Sequence, residues 1–273
     1  MKVQFLGTAA AEGIPAIWCE CEVCRKAKQL GGKELRRRCS YLIDTDTIVD
    51  FGPDSFWQSI EFNIDQTILK RILFTHPHED HMSPLEFYFR RSPYFSQVSH
   101  FINVLASAET LKTFIKFTGH EFKDLYINPI EFKPGKWHTD EDMEVLPIPA
   151  NHAPGMGPMI LAVRRNGKTL LIANDTGLLA DSSWEMLKGV TFDTAVIEST
   201  CAFGVPDLQN GHLGVNTTVQ FRDKLLEMGC ITKDTPVYVN HFSHNGKANH
   251  DKLVEFFAPR NMTVAYDGLT IEL

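Results

Sequence analysis

The chain has no apolar run that reaches the ~18–20 residues of a membrane span. Its start, Met1-Lys2-Val3-Gln4-Phe5-Leu6-Gly7, lacks the apolar stretch of roughly 7–15 residues that marks a secretion signal. These absences predict a soluble, cytoplasmic protein with no membrane partner. Positive charge is also scarce. There are 27 Lys and Arg against 34 Asp and Glu, a net −7, with no basic block beyond Arg36-Arg37-Arg38. That excludes the electrostatic footprint of a dedicated nucleic-acid binder and favours a small substrate. No linker, low-complexity tract, composition shift or fixed-period repeat divides the 273 residues, so one domain spanning 1–273 is expected. A chain of this size with no export signal has neither the compartment nor the need for disulfides, so its six cysteines read as thiols or metal ligands.

Core material, by contrast, is plentiful: 43% of residues are hydrophobic, and there are 19 Phe, 6 Tyr and 4 Trp. Alternation and turn residues predict strands over Val3 to Thr8, Tyr41 to Asp44, Thr47 to Phe51, Arg71 to Thr75, Ile102 to Ala106, Glu144 to Pro149, Met159 to Arg165 and Thr169 to Ala173. Later strands are expected at Thr194 to Glu198, Pro236 to Asn240 and Thr263 to Tyr266. Helical patterns run from Pro53 to Phe62, Pro84 to Arg91, Ala108 to Phe117, Ser182 to Leu187, Val215 to Met228 and Asn249 to Phe257, while Phe122 to Lys136 is poorly defined. Early hairpins followed by alternating units predict an α/β sandwich with helices outside two mixed sheets.

Histidine, at eleven residues, is where chemistry concentrates. Thr75-His76-Pro77-His78-Glu79-Asp80-His81 follows the apolar run Arg71-Ile72-Leu73-Phe74 directly. Three imidazoles and a carboxylate crowded on one loop repel one another unless a cation holds them. His76 and His78 can face one way while Asp80 and His81 project into neighbouring space, so one loop can serve two cations. Nitrogen and oxygen donors without cysteine suit Zn(II), Mn(II) or Fe(II) alike.

His-x-His-x-Asp-His resembles the signature of the metallo-β-lactamase superfamily, hydrolases with a four-layer αββα sandwich. The resemblance implies a ligand histidine after a later strand, at His152, then a bridging aspartate at Asp175 and a last histidine at His241. It puts His76, His78 and His152 on one metal and Asp80, His81 and His241 on the other. Asp50, in Ile48-Val49-Asp50-Phe51-Gly52, matches an early aspartate that orients a ligand; taken alone it is an ordinary turn carboxylate. Flavin-linked di-iron relatives carry glutamate where this chain has His78.

Cys19-Glu20-Cys21-Glu22-Val23-Cys24 gathers three thiolate-capable groups at the start of a basic helix, leaving a tetrahedral zinc site one ligand short. With Gly7-Thr8-Ala9-Ala10-Ala11-Glu12-Gly13-Ile14-Pro15-Ala16 and Arg37-Arg38-Cys39-Ser40, this block is similar to the PhnP-like phosphodiesterases of phosphonate degradation. That resemblance implies His244 as the fourth ligand of a structural zinc, in an excursion at about 15–40. It also implies His212 as the acid that protonates a leaving oxygen; read alone, His212 could cap the following helix. His212 and the metal-binding Asp80 are the catalytic candidates.

The resulting expectation is a phosphodiesterase with two active-site metals (Zn, Mn or Fe) and one structural Zn. It would cleave a small cyclic or activated phosphodiester, such as a ribosyl cyclic phosphate, by attack of metal-bound hydroxide, and the resemblance suggests a homodimer. Two rival readings are a lactone or thioester hydrolase on the same site and a non-catalytic carrier keeping only the structural zinc. Arg36 to Arg38 read as a solvated charge run, and Cys39, Cys201 and Cys230 as free thiols. Asn151, Thr176 and Ser199 are candidates for contacts behind the ligands. The loops at 88–101 and 202–209 are expected to shape substrate choice.

Overall fold

A strand with apolar residues at consecutive positions must bury both faces, and β10 (Lys168–Ala173) does so: Leu170 and Ile172 point between two sheets while Leu171 and Ala173 point outward to helices. A computed structural model describes residues 1–204 and 211–273 of the chain. Its first sheet contains β1 (Lys2–Gly7), β2 (Ser40–Ile43), β3 (Thr47–Val49), β4 (Arg71–Leu73), β5 (Ile102–Ala106), β6 (Ile127–Glu131) and β14 (Thr270–Glu272), in the order β14-β1-β2-β3-β4-β5-β6. The second contains β7 (His138–Asp140), β8 (Met143–Pro149), β9 (Met159–Arg165), β10, β11 (Thr194–Glu198), β12 (Val237–Asn240) and β13 (Met262–Val264), in the order β13-β12-β11-β10-β9-β8-β7. In each sheet antiparallel hairpins give way to parallel strands, at β3-β4 and at β10-β11.

Between the sheets Phe5, Ile43, Val49, Leu73 and Leu105 meet Val145, Leu161, Val163, Ile172 and Val196. Outside the first sheet Ile72, Phe74 and Val104 pack on α3 (Pro84–Phe87) and α4 (Ala108–Thr118) through Phe87 and Phe114. Outside the second, α5 (Asp181–Leu187), α6 (Val215–Glu227) and α7 (His250–Phe257) supply Trp184, Phe221, Leu225, Leu253 and Phe257. The layers are helix, sheet, sheet, helix, the αββα sandwich the sequence predicts.

Several elements differ from expectation. The poorly defined stretch after Phe122 contains β6, a largely exposed edge strand in which only Ile127 is buried and which carries Pro129. The three-residue edge strands β7 and β14 escape detection because their length is set by the neighbour each pairs with. The helix expected to reach Arg91 is one α-turn, and Tyr88–Arg90 continues it as a 3₁₀ turn. Among the described residues no helix is long and apolar enough to cross a membrane.

Between β1 and β2, α1 (Glu22–Leu30) begins within the cysteine cluster and includes Cys24, and the excursion is tied back by mutual backbone bonds between Ile14 and Arg36. Residues 205–209 of the Gly/Pro-rich loop lie outside the described residues.

Candidate metal centre

The histidine loop leaves β4 at its carboxyl end, and its neighbours arrive from the same ends of other strands. His152 lies beyond β8, Asp175 two residues after β10 and His241 one residue after β12. Asp50, Asp175 and His241 adopt left-handed φ values of 59°, 48° and 59°, which turn the chain sharply off each strand. Gly52 has its own reason: a Cβ there would fall 2.1 Å from the Asp80 carbonyl oxygen, so only glycine lets the histidine loop pack so closely.

Donor atoms of His76, His78 and His152 lie within 4.8 Å of one another, as do those of Asp80, His81 and His241. Asp175 stands between the two sets. Its Oδ1 is 3.7 Å from His152 Nε2 and 4.0 Å from His76 Nε2, while Oδ2 is 3.0 Å from Nε2 of both His81 and His241. His78 Nδ1 sits 2.9 Å from His76 Nε2 and 3.1 Å from His152 Nε2. The far nitrogens are occupied: His81 Nδ1 donates to Asp50 Oδ2 (2.7 Å) and His152 Nδ1 to the Gly211 carbonyl (2.9 Å). His241 Nδ1 is 2.8 Å from Thr200 Oγ1. Asp50 also accepts from the Thr75 backbone N–H and hydroxyl, as an orienting carboxylate should.

The donor chemistry fits divalent cations. With Nδ1 committed on His81, His152 and His241, their Nε2 atoms converge with that of His76, and His78 presents Nδ1 to the same space. Asp175 Oδ2 is buried, and despite the short approaches neither imidazole is aligned to give it a hydrogen bond. Burial opposes ionisation of Asp80 and Asp175, yet His81 and His241 hold both below the usual carboxylate range. Burial would depress His81 as well, but Asp175, Asp80 and Asp50 raise it well above the ordinary histidine range. Burial and the charge of His81 push His76 well below it. The pocket thus gathers buried negative charge around imidazoles and calls for positive charge at its centre.

His212 faces the same cleft, 360 Å³ in volume and lined also by Glu12, Thr200 and Cys201. Its ring tilts against His152 at 4.7 Å between centroids. His212 is not a helix cap, because Gly214 and Thr217 close the start of α6. Its Nδ1 donates instead to Oε1 of Glu198 at 2.9 Å. Burial alone would lower its pKa, but the Glu198 carboxylate pushes it up to about 9. Glu198, the fully buried last residue of β11, also accepts backbone N–H groups of Thr176, Thr200 and Leu213. Sequence reasoning passed over it; the available signal was a carboxylate ending an otherwise apolar strand.

Cys19, Cys21, Cys24 and His244 form a separate cluster whose four donor atoms lie within 4.8 Å of one another. His244 Nδ1 is 3.4 Å from Cys19 Sγ and 3.6 Å from Cys21 Sγ. Backbone N–H groups of Ala16, Cys21 and Cys24 point at Cys24, Cys19 and Cys21 sulfurs, respectively.

The arginine run is not a solvated face. Arg36 is buried, donating to Thr8 Oγ1 and the Ala265 carbonyl beside His250; Arg37 pairs with Asp267 and Glu61, and Arg38 with Asp54. Behind the ligands, Asn151 N–H donates to Thr176 Oγ1 at 3.0 Å, while the Ser199 hydroxyl is buried with no hydrogen-bond partner among the described residues. Cys39 is more than a packed thiol, for it receives amide N–H groups from both Asn174 and Asn240.

A family model described as a beta-lactamase superfamily domain matches residues 43–228. The octanoyltransferase of Porphyromonas gingivalis is 34% identical over 90 residues, 32% of this chain and 17% of that protein, so the chain spans less than a fifth of that relative's length. The chain is also similar to a solved structure described as a new diphosphatase from the PhnP family, with a TM-score of 0.77, 21% identity, and 100% of this chain and 96% of that one covered. Zinc-bound PqqB from Methylobacterium extorquens has a TM-score of 0.72 at 16% identity, with 100% of both chains covered. At these identities the structural likenesses show a shared fold.

Proposed function

The chain belongs to the beta-lactamase superfamily, a fold family that binds divalent metals, and from that premise we propose that it is a phosphodiesterase acting on small cyclic or activated phosphodiesters. The observation that carries this reading is Asp175 placed between two imidazole-rich sets, with the His212–Glu198 pair on the same cleft. His76, His78 and His152 would hold one cation and Asp80, His81 and His241 the other, with Asp175 shared. When bound, such cations supply Lewis-acid activation of water and neutralise charge on a phosphoryl oxygen.

The protein's own groups then do the rest. Asp50 and the Gly211 carbonyl keep His81 and His152 in the tautomer that turns Nε2 inward. Glu198 fixes the His212 ring through Nδ1, so Nε2 is the nitrogen left to carry a proton towards the cleft. The Glu198 carboxylate favours the protonated His212 ring and suits it to give that proton to a departing alkoxide. Cys19, Cys21, Cys24 and His244 would take one structural zinc. A homodimer belongs to the same reading and is checked by light scattering.

The test is turnover of bis(p-nitrophenyl) phosphate and cyclic nucleotides by Mn- or Zn-loaded protein. His212→Ala should lower kcat about 10²–10⁴-fold for substrates with alkoxide leaving groups, and far less for p-nitrophenolate, which leaves without a proton. The short likeness to an octanoyltransferase gives one observation in favour of acyl esters or thioesters. Turnover of those substrates with none of any phosphodiester would replace the proposal.

A further inference from the structure

A second hollow of 400 Å³ adjoins the metal cleft and shares Glu12 with it. Cys19 and His244 line it together with Glu12, Ala16, Ile17, Trp18 and Arg38. Trp18 is 95% exposed and Ile17 69%, an apolar surface that the described residues leave open. The loop beneath is firmly tied. Ala16 N–H donates to Cys24 Sγ at 3.3 Å, Cys19 N–H returns to the Ala16 carbonyl at 3.1 Å, and the Ile14–Arg36 pairing closes the base. Arg38 is equally constrained, with Nε on the Ala11 carbonyl at 3.0 Å and Nη1 on Asp54 at 3.0 Å, so its guanidinium plane is set before any ligand arrives.

An indole and a fixed guanidinium plane bordering one hollow are a stacking surface for a flat, π-rich ring. Glu12, 42% exposed on its side chain at the junction of the two spaces, offers carboxylate oxygens to a donor on that ring or its sugar. The cleft on one side is built for charge and the hollow on the other for aromatic surface, which matches a molecule that is phosphate at one end and heterocycle at the other.

We propose that this hollow is the subsite for a planar, hydrogen-bond-donating ring attached to the scissile phosphodiester, a nucleobase being the type, with Trp18 and Arg38 as its specificity-determining residues. This deepens the phosphodiesterase reading and rests on it for the identity of the substrate, but not for its test.

Equilibrium titration of the metal-loaded protein with AMP and with ribose 5-phosphate separates ring recognition from phosphate recognition without any turnover. AMP should bind about tenfold more tightly, the scale of one base stacked on an aromatic side chain. Trp18→Ala should abolish that preference while leaving ribose 5-phosphate affinity and zinc content unchanged, and Trp18→Phe should keep most of it. Equal affinities in the native protein, or a Trp18→Ala variant that keeps the preference or weakens both ligands alike, overturns the proposal. A Trp18→Ala effect confined to self-association overturns it too, and assigns the exposed indole to a second copy of the chain. If the AMP preference holds but no phosphodiester is hydrolysed, the subsite stands and the activity reading falls.

Discussion

The hydroxyl of Tyr41 sits 2.7 Å from the side-chain amide nitrogens of both Asn174 and Asn240, and the Cys39 sulfur 3.0 and 3.2 Å from the same two atoms. Each asparagine precedes a proposed ligand, Asp175 or His241, at the sharp turn off its strand. One phenol and one thiol, both fully buried and carried by the first sheet's β2 and the residue before it, therefore brace two ligand-bearing turns at the ends of β10 and β12 in the second sheet. Tyr41→Phe strips both amides of this oxygen in a place water does not reach, a cost of about 1–3 kcal/mol for each donor left unpaired. It should also weaken metal retention about 10–100-fold, the usual effect of losing a group that orients ligands. Melting of the metal-free variant measures the first effect and chelator competition the second. Loss of stability with unchanged metal affinity would make Tyr41 a packing residue only.

Among elements, α1 depends most on its surroundings. Nine residues are too few for a stable isolated helix, and only Cys24 and Ala27 of α1 are buried. Its first turn is organised by sulfur, with Cys21 at the N-cap accepting from the Cys24 N–H. Burial pushes the Cys24 thiol up to about 12, so a cation that binds its thiolate works against that burial penalty and ties metal uptake to folding of this element. Cys24→Ser should release about one zinc per chain. It should also speed amide exchange across residues 16–30 and leave the histidine-rich cluster able to bind metal. Unchanged zinc stoichiometry would dismiss the knuckle as a metal site. Hydrogen exchange read by mass spectrometry and metal analysis of the same sample give both answers.

For the molecule as a whole, the two sheets are stapled at the end away from the metal cleft. Arg71, at the start of β4 and 1% exposed, donates from Nε to Asp140 of β7 at 2.7 Å. Arg165, at the end of β9, reaches back to Asp46 in the β2-β3 turn with two bonds of 2.7 and 2.9 Å. Asp142 touches both arginines. Each cation thus belongs to one sheet and its main carboxylate to the other. Arg71→Met should cost about 3–5 kcal/mol, because it leaves buried carboxylates without their counter-charge. The measurement is the urea midpoint at unchanged slope, and Arg71→Met with Asp140→Asn should recover part of the loss. A cost below ~1 kcal/mol would reduce the staple to the worth of a surface ion pair.

The chain order alone determined what depends on near neighbours. His76 to His81 crowd one loop whatever the fold, Cys19 to Cys24 crowd another, and consecutive apolar residues in β8 to β10 demand two buried faces, so the sandwich and the metal-binding character are legible from spacing and pattern. Tertiary structure decided what depends on distant partners. Glu198 acquires a role because the chain returns His212 to it, and Tyr41 because β10 and β12 end beside it. Arg36 is buried because the C-terminal residues close over it, and Trp18 borders a hollow beside the metal cleft because the knuckle loop is tied back through Ile14 and Arg36. None of these pairings has a local signature. The free energy that selects them comes from burying and satisfying polar groups far apart in the chain, a condition that exists only once the two sheets have closed.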